Sequence, residues 1–248
     1  MKQPELVAHR GLIDPAPENT IAAFLAAVDA GADAIELDVR LTADRVPVVY
    51  HYYYLWVNTN AQGAIFTHTL KDLQQVRVRH ESSDYLEPIP TLESVLAQFT
   101  GKIGLEIELK GPEPECGQIV GDLLTGFRTY WPMCEVTSFE PALLHQMQRI
   151  CPDIATDLLL PKSEDWMRED VVIYQAIQRG RLANARAVHL HPSQLSANAV
   201  ESIRRAGIEI HAWDVNDQNA LHKVRELGVS KVCTDDLRLM QHFNKTRT

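Results

Sequence analysis

Two short stretches of this sequence, Ala34-Ile35-Glu36-Leu37-Asp38-Val39 and Leu105-Glu106-Ile107-Glu108-Leu109-Lys110, alternate apolar residues with charges. Side chains two apart in an extended chain share a face, so Glu36 and Asp38 point one way and the aliphatic residues between them the other. Glu106, Glu108 and Lys110 follow the same rule. Carboxylates gathered inside a sheet covered on both faces are costly unless a positive charge neutralises them. Oxygen ligands of this kind suit a hard divalent cation whose shell keeps room for water or substrate oxygens. Imidazoles, which His9 and His51 supply elsewhere in the sequence, titrate where proton transfer at neutral pH is efficient. Together these residue types can support acid–base chemistry beside a bound dication.

Such a pocket needs a frame, and the hydrophobic pattern supplies one. Short apolar runs at 5–9, 34–41, 104–110, 135–139, 154–160, 187–191, 209–215 and 230–235 predict eight strands. Helical periodicity at 20–30, 91–99, 117–129, 141–150, 170–182, 197–206 and 218–227, with a short segment at 237–243, fills the spaces between and after them. Asn19 or Thr20 can cap the first helix, Pro141 suits a first helical turn, and Gly31, Gly207 and Gly228 sit just past helix ends. Strand–helix alternation of this kind predicts an α/β fold, a closed (β/α)8 TIM barrel of one domain over residues 1–248. The irregularity is an inserted stretch at about 46–90, following the second strand, with an extra strand at 46–51 and a polar remainder. Insertions at that face of a barrel usually cover the active site, and this one is expected to be a small cap. In this frame His9, Arg10, Glu36, Asp38, Glu108, Lys110, Ser138, His189, His191, Trp213, Asp214, Asn216 and Asp235 fall at or near strand C-termini, where barrel enzymes place their chemistry.

A net charge of −9 provides no broad positive field, which argues against nucleic acid and anionic membranes as main partners. No segment has the roughly 18 to 20 apolar residues of a membrane span, and the N-terminus lacks a signal peptide's pattern. The expectation is a cytoplasmic protein without stable membrane insertion, with self-association left open. Cys116, Cys134, Cys151 and Cys233 form no C-x-x-C pair and read as reduced, mostly buried thiols.

The combination of motifs resembles the glycerophosphodiester phosphodiesterase family. The resemblance rests on His9-Arg10-Gly11 followed by Pro17-Glu18-Asn19-Thr20, on Glu36-Leu37-Asp38-Val39, on Pro47-Val48-Val49-Tyr50-His51 and on Ile107-Glu108-Leu109-Lys110. It continues through Ser138-Phe139, Trp213-Asp214-Val215-Asn216 and Thr234-Asp235, and so spans essentially the whole chain in order. What it implies is a barrel with an inserted cap that hydrolyses a small glycerophosphodiester to glycerol 3-phosphate and an alcohol, using one Mg2+ or Ca2+. Carried onto matching positions, it implies Glu36, Asp38 and Glu108 as metal ligands, His9 and His51 as the acid–base pair, and Arg10 and Lys110 as phosphate contacts. Trp213 would then form a wall of the glycerol pocket.

The family pattern is broken at two places, after His51 and at Glu106, and Val57 and Asn58 occupy the positions where the family usually has Arg and Thr. Tyr52 stands where an Asp usually follows the second histidine, and Glu106 stands where Asn is frequent, which adds a fourth carboxylate near the metal. The run Tyr52-Tyr53-Tyr54 with Trp56 reads first as packing within the insertion and second as a lining for an apolar or cationic alcohol. Glu18 is expected to brace Arg10. His68, His80, His145, His211 and His222 read as surface or packing residues. Competing readings are a lysophospholipase D-type phosphodiesterase and a non-catalytic relative that binds phosphodiesters.

Overall fold

The computed structural model describes residues 3–236 together with Leu239, so the segment expected at 237–243 lies outside the described residues apart from Leu239. Strands β1 (Glu5–Ala8), β2 (Ala34–Leu41), β6 (Gly104–Leu109), β7 (Cys134–Ser138), β8 (Ala155–Leu159), β9 (Ala187–Leu190), β10 (Glu209–Ala212) and β11 (Lys231–Thr234) pair in parallel. Pairing of β1 with both β11 and β2 closes them into the expected (β/α)8 TIM barrel. The helices are α1 (Ile21–Asp29), α3 (Leu92–Phe99), α4 (Cys116–Thr125), α5 (Pro141–Ile150), α6 (Glu169–Leu182), α7 (Ala197–Arg205) and α8 (Gln218–Glu226). Local chemistry sets their starts. Thr20, Thr91, Ser196 and Asp217 each accept a backbone N–H from the first turn, and Pro141 opens α5. The cap of α1 is therefore Thr20, which leaves the Asn19 side chain free for another task.

Most strands end earlier than their apolar runs suggest. His9, Lys110, His191, Trp213 and Asp235 all lie just beyond the last residue of a strand, in loops at the C-terminal rim. Ile35, Leu37, Val39, Leu105, Ile107 and Leu109 are buried in the main core, with at most 2% exposure.

The segment between β2 and α3 is less plain than its polar sequence suggests. It contains β3 (Pro47–Val49), antiparallel to β2, then a short helix α2 (Leu70–Leu73) and a hairpin of β4 (Arg77–Arg79) and β5 (Leu86–Pro88). Val48, Tyr50, Leu55, Ile65, Leu73, Val76, Val78 and Ile89 give it a small core of its own. The aromatic run divides. Tyr52 packs edge-on against Tyr50 and Tyr53 against Phe66, while Tyr54 and Trp56 stack on each other at the surface, 50% and 57% exposed.

Deeper in the barrel an ion-paired network fills the space. Arg186 donates from Nη2 to Glu135 Oε2 (2.6 Å) and Asp157 Oδ2 (2.5 Å), and Lys231 Nζ lies 2.8 Å from Glu135 Oε2. His189 Nε2 and His211 Nδ1 are 3.0 Å apart and stand 3.4 and 3.5 Å from Asp157 Oδ2. Burial and the neighbouring Glu135 push the Glu106 carboxyl well above its usual range, so it holds a proton, and burial pushes His211 down to about 3. Glu135, Asp157, His189 and His211 bring donor atoms within 4.8 Å of one another, a spacing a metal could use. Arg186 and Lys231 already bring two positive charges to those two carboxylates, which balances them as an ion-pair cluster. His211 and His189 thus serve this layer rather than the rim. Arg186→Met is expected to lower stability by about 3 kcal/mol, because it strands buried Asp157. Chemical denaturation measures this, and an unchanged midpoint would show the pair to be dispensable.

Candidate active site

Strand register assembles the acidic set. The β2–β6 pairing places Asp38 opposite Glu108 and Glu36 opposite Glu106. Glu36, Asp38 and Glu108 bring carboxylate oxygens within 4.8 Å of one another, and all three residues are buried. Glu106 belongs to the layer below. Its Oε1 is 3.5 Å from His189 Nδ1 and Glu135 pushes its carboxyl up, so it joins the deeper network while also lining a cavity with Glu36 and Glu108.

The cations and donors around the triad come from the neighbouring loops. Lys110 Nζ stands 2.8 Å from Glu108 Oε1 and 3.3 Å from Asp38 Oδ1, as ion pairs outside hydrogen-bond geometry. Arg10 donates its backbone N–H to Glu36 Oε2 (3.0 Å) and its Nη1 to Glu18 Oε2 (2.8 Å), and its Nε lies 3.3 Å from Asp38 Oδ2. Glu18 therefore braces Arg10 as expected. Asn19 closes the other side of Asp38, donating from Nδ2 to Oδ2 (2.7 Å) and accepting the Asp38 N–H (3.1 Å). The loop makes these contacts through left-handed backbone at Arg10 (φ 56°) and Asn19 (φ 57°). Gly11 is required there too, with φ 84° and Ala23 so close that a Cβ would meet it at 2.8 Å.

The two histidines differ in their surroundings. His9 Nδ1 is 2.6 Å from Asp235 Oδ1, while its Nε2 faces Glu36 Oε2 at 4.0 Å. Asn216 holds Asp235 in place by donating from Nδ2 to Oδ2 (3.0 Å) and accepting the Asp235 N–H (2.8 Å). Burial works against a charge on His9, but Asp235 and Glu36 outweigh it and raise its pKa to about 9. His51 has no such partner. Its Nδ1 is buried without a hydrogen bond, its ring packs edge-on to Tyr52 at 4.7 Å, and its carbonyl accepts from Arg40 Nε (2.8 Å). Burial, with Arg10 and Lys110 nearby, lowers its pKa to about 3.

The triad itself tests the fit of a metal. Burial and Asp38 push Glu36 up to about 8 and Glu108 up to about 7. Asp38 stays well below the usual carboxylate range: burial opposes its charge, but Lys110 and Arg10 prevail. Glu36 Oε1 is buried with no hydrogen-bond partner. Three carboxylates against two fixed cations thus leave protons and an orphaned oxygen where a dication would bind, and an all-oxygen donor set suits a hard ion.

His9, Arg10, Glu36, His51, Glu106, Glu108, Lys110 and Trp213 line one cavity of about 280 Å3, together with Phe139, Leu159, Asp214 and Cys233. The residues singled out from the sequence as the candidate site therefore converge. Residues 9–239 match the model of the glycerophosphoryl diester phosphodiesterase family. The chain belongs to that family.

Among its relatives in the glycerophosphodiester phosphodiesterase family is YhdW of Bacillus subtilis (strain 168), so described by provisional name, 35% identical over 239 residues and matched over 93% of each chain. The glycerophosphodiester phosphodiesterase of Caldanaerobacter subterraneus subsp. tengcongensis is 29% identical over 93% of each chain. Among solved structures, an Oleispira antarctica phosphodiesterase in complex with the product sn-glycerol-3-phosphate superposes with a TM-score of 0.79 at 28% identity, covering 97% of this chain and 96% of that one. Membership makes the chain an enzyme of glycerophosphodiester hydrolysis, which sets aside the reading as a non-catalytic relative. No helix among the described residues is long and apolar enough to cross a membrane.

Beyond the glycerophosphodiester phosphodiesterase motifs, two contacts were not legible in the sequence. Asp235 appears there as one more polar strand end, and its bond to His9 spans 226 positions. Asn19 reads as a helix cap, yet binds Asp38. Ser138 ties the ends of β6 and β7 by donating to the Leu109 carbonyl (2.8 Å). The Tyr52 side chain meets His51 and an adjoining cavity with Glu18 and Asn58, whereas Tyr53, Tyr54 and Trp56 do not line the main cavity.

Proposed function

We propose that this protein hydrolyses glycerophosphodiesters to glycerol 3-phosphate and an alcohol, with one Mg2+ or Ca2+ held by Glu36, Asp38 and Glu108. The observation that carries this reading is the buried carboxylate triad, two members of which, Glu36 and Glu108, line a cavity with His9, His51, Arg10 and Lys110. When bound, the ion supplies positive charge to a phosphoryl oxygen and to the attacking or leaving oxygen. Arg10 and Lys110 stabilise the charge that builds on the phosphoryl oxygens, an effect of about 3 to 4 kcal/mol per well-placed group. Trp213 lines the same cavity, and among the described residues its buried Nε1–H has no hydrogen-bond partner.

The two histidines divide the proton work. His51, kept neutral, takes the proton of the attacking oxygen as the new P–O bond forms. His9, kept protonated by Asp235, gives its proton to the alcohol oxygen as the old P–O bond breaks. Cytoplasmic action on a water-soluble diester, by a single domain of 248 residues with the inserted segment as its cap, completes the reading.

Release of glycerol 3-phosphate from glycerophosphocholine and glycerophosphoethanolamine, with and without EDTA, tests it. Turnover indifferent to the chelator would remove the metal from the scheme. Tyr52→Asp tests the role of His51. A carboxylate beside the ring favours imidazolium, so the acid limb of the pH–rate profile should move to higher pH by about one pH unit. A limb that stays in place would argue that His51 is not the base.

A further inference from the structure

Asp214 is a part-exposed carboxylate of the main cavity to which the catalytic scheme gives no task. It lies two residues past the end of β10, after Trp213, and its backbone is held at φ 60°, a left-handed conformation that only a few non-glycine residues adopt. Its carboxylate is well fixed. Oδ1 accepts from Asn216 Nδ2 (2.7 Å), and Oδ2 lies 3.3 Å from His191 Nε2. His191 Nδ1 accepts the Ser193 backbone N–H (3.1 Å), which places the ring proton on Nε2, facing Asp214. Burial and the field of Lys162 lower the His191 pKa, so this donor is neutral.

Asp214 is thus a carboxylate held by one neutral donor, Asn216, with the His191 ring 3.3 Å away. Among the described residues it has no Lys or Arg within ion-pair distance; Lys223, also close to His191, is spent on the Pro192 carbonyl (2.8 Å). Its side chain is 47% exposed, and Asp214 and Trp213 both line the cavity that holds His9 and Glu36. That ring is itself held edge-to-face by His191, with centroids 5.4 Å apart. Asn216 links Asp214 to Asp235, and Asp235 to His9, so the carboxylate is a short hydrogen-bond chain away from the proton donor. A cavity that presents both a carboxylate without a cationic side-chain partner among the described residues and an indole has the chemistry that receives an ammonium group.

We infer that Asp214 and Trp213 form a subsite for the leaving alcohol and select diesters whose alcohol carries an ammonium group, as choline and ethanolamine do. The inference rests on the proposed reading of the cavity as the site of metal-dependent hydrolysis. Its test is kcat/KM for glycerophosphocholine, glycerophosphoethanolamine and the uncharged-alcohol diester glycerophosphoglycerol, in wild type and in D214N. Asparagine tolerates the left-handed backbone, so the loop is preserved.

The ratio of either cationic substrate to glycerophosphoglycerol should fall about fivefold in D214N, the upper range for a part-exposed charge pair. In wild type, added NaCl should lower the same ratio. A ratio that D214N and salt both leave unchanged, in an enzyme whose turnover still needs metal and His9, would overturn the subsite alone. Turnover of all three substrates that survives EDTA and His9→Ala would overturn the reading of the cavity and the subsite with it.

Discussion

His9→Ala is expected to lower kcat about 1000-fold on glycerophosphocholine, the loss typical of a missing proton donor at a reacting oxygen. The effect should fall on kcat more than on KM, because His9 acts on charge that develops as the P–O bond breaks. Asp235→Asn separates positioning from chemistry. It keeps the shape and removes the charge 2.6 Å from Nδ1, so activity should drop about 10- to 100-fold. The sign of the pH effect is fixed by the same contact. His9 works in its protonated form, so the alkaline limb of the profile reports its titration, at or below about pH 9. Loss of the Asp235 charge makes the proton easier to lose and moves that limb to lower pH. An Asp235→Asn enzyme with lower activity and an unmoved limb would assign Asp235 a structural role only.

Metal removal should have a comparable effect, and it can be read without following turnover. In the metal-free site burial and mutual repulsion keep Glu36 protonated up to about pH 8 and Glu108 up to about pH 7. A dication needs both as carboxylates, so its binding at pH 7 should release about one to two protons. Calorimetric titration of Mg2+ or Ca2+ in buffers of different ionisation enthalpy counts them. Binding without proton release would mean that the ion does not sit on this triad. Saturation at 100 times Kd should also stabilise the fold by about 2.7 kcal/mol. In Glu36→Gln the proton count, the stabilisation and glycerol 3-phosphate release should all fall together.

Much of the site was legible before any coordinates, and the reason is strand periodicity. Glu36, Asp38 and Glu108 alternate with aliphatic residues, and that alternation survives folding because the two strands are adjacent and in register. Glu106 obeyed the same periodicity, yet lies one layer down; a period of two gives the face of a strand and not the height at which its neighbours meet. His9–Asp235 was hidden for another reason: barrel closure by β1 and β11 brings together the two ends of the chain. The floor network was hidden as well. His211 had no distinguishing neighbour in sequence, and its partners Asp157 and His189 come from β8 and β9, with Arg186, just before β9, holding Asp157. The inserted segment read as polar because the residues of its small core are scattered between turns instead of following one period.

The ion-paired plug beneath the carboxylate triad makes the barrel a cul-de-sac. With the barrel below the triad filled by Arg186, Lys231 and their acidic partners, the reactant and products of the proposed hydrolysis would, as far as the described residues go, enter and leave at the rim. Glycerol 3-phosphate that lingers in the cup is therefore expected to compete with the next diester.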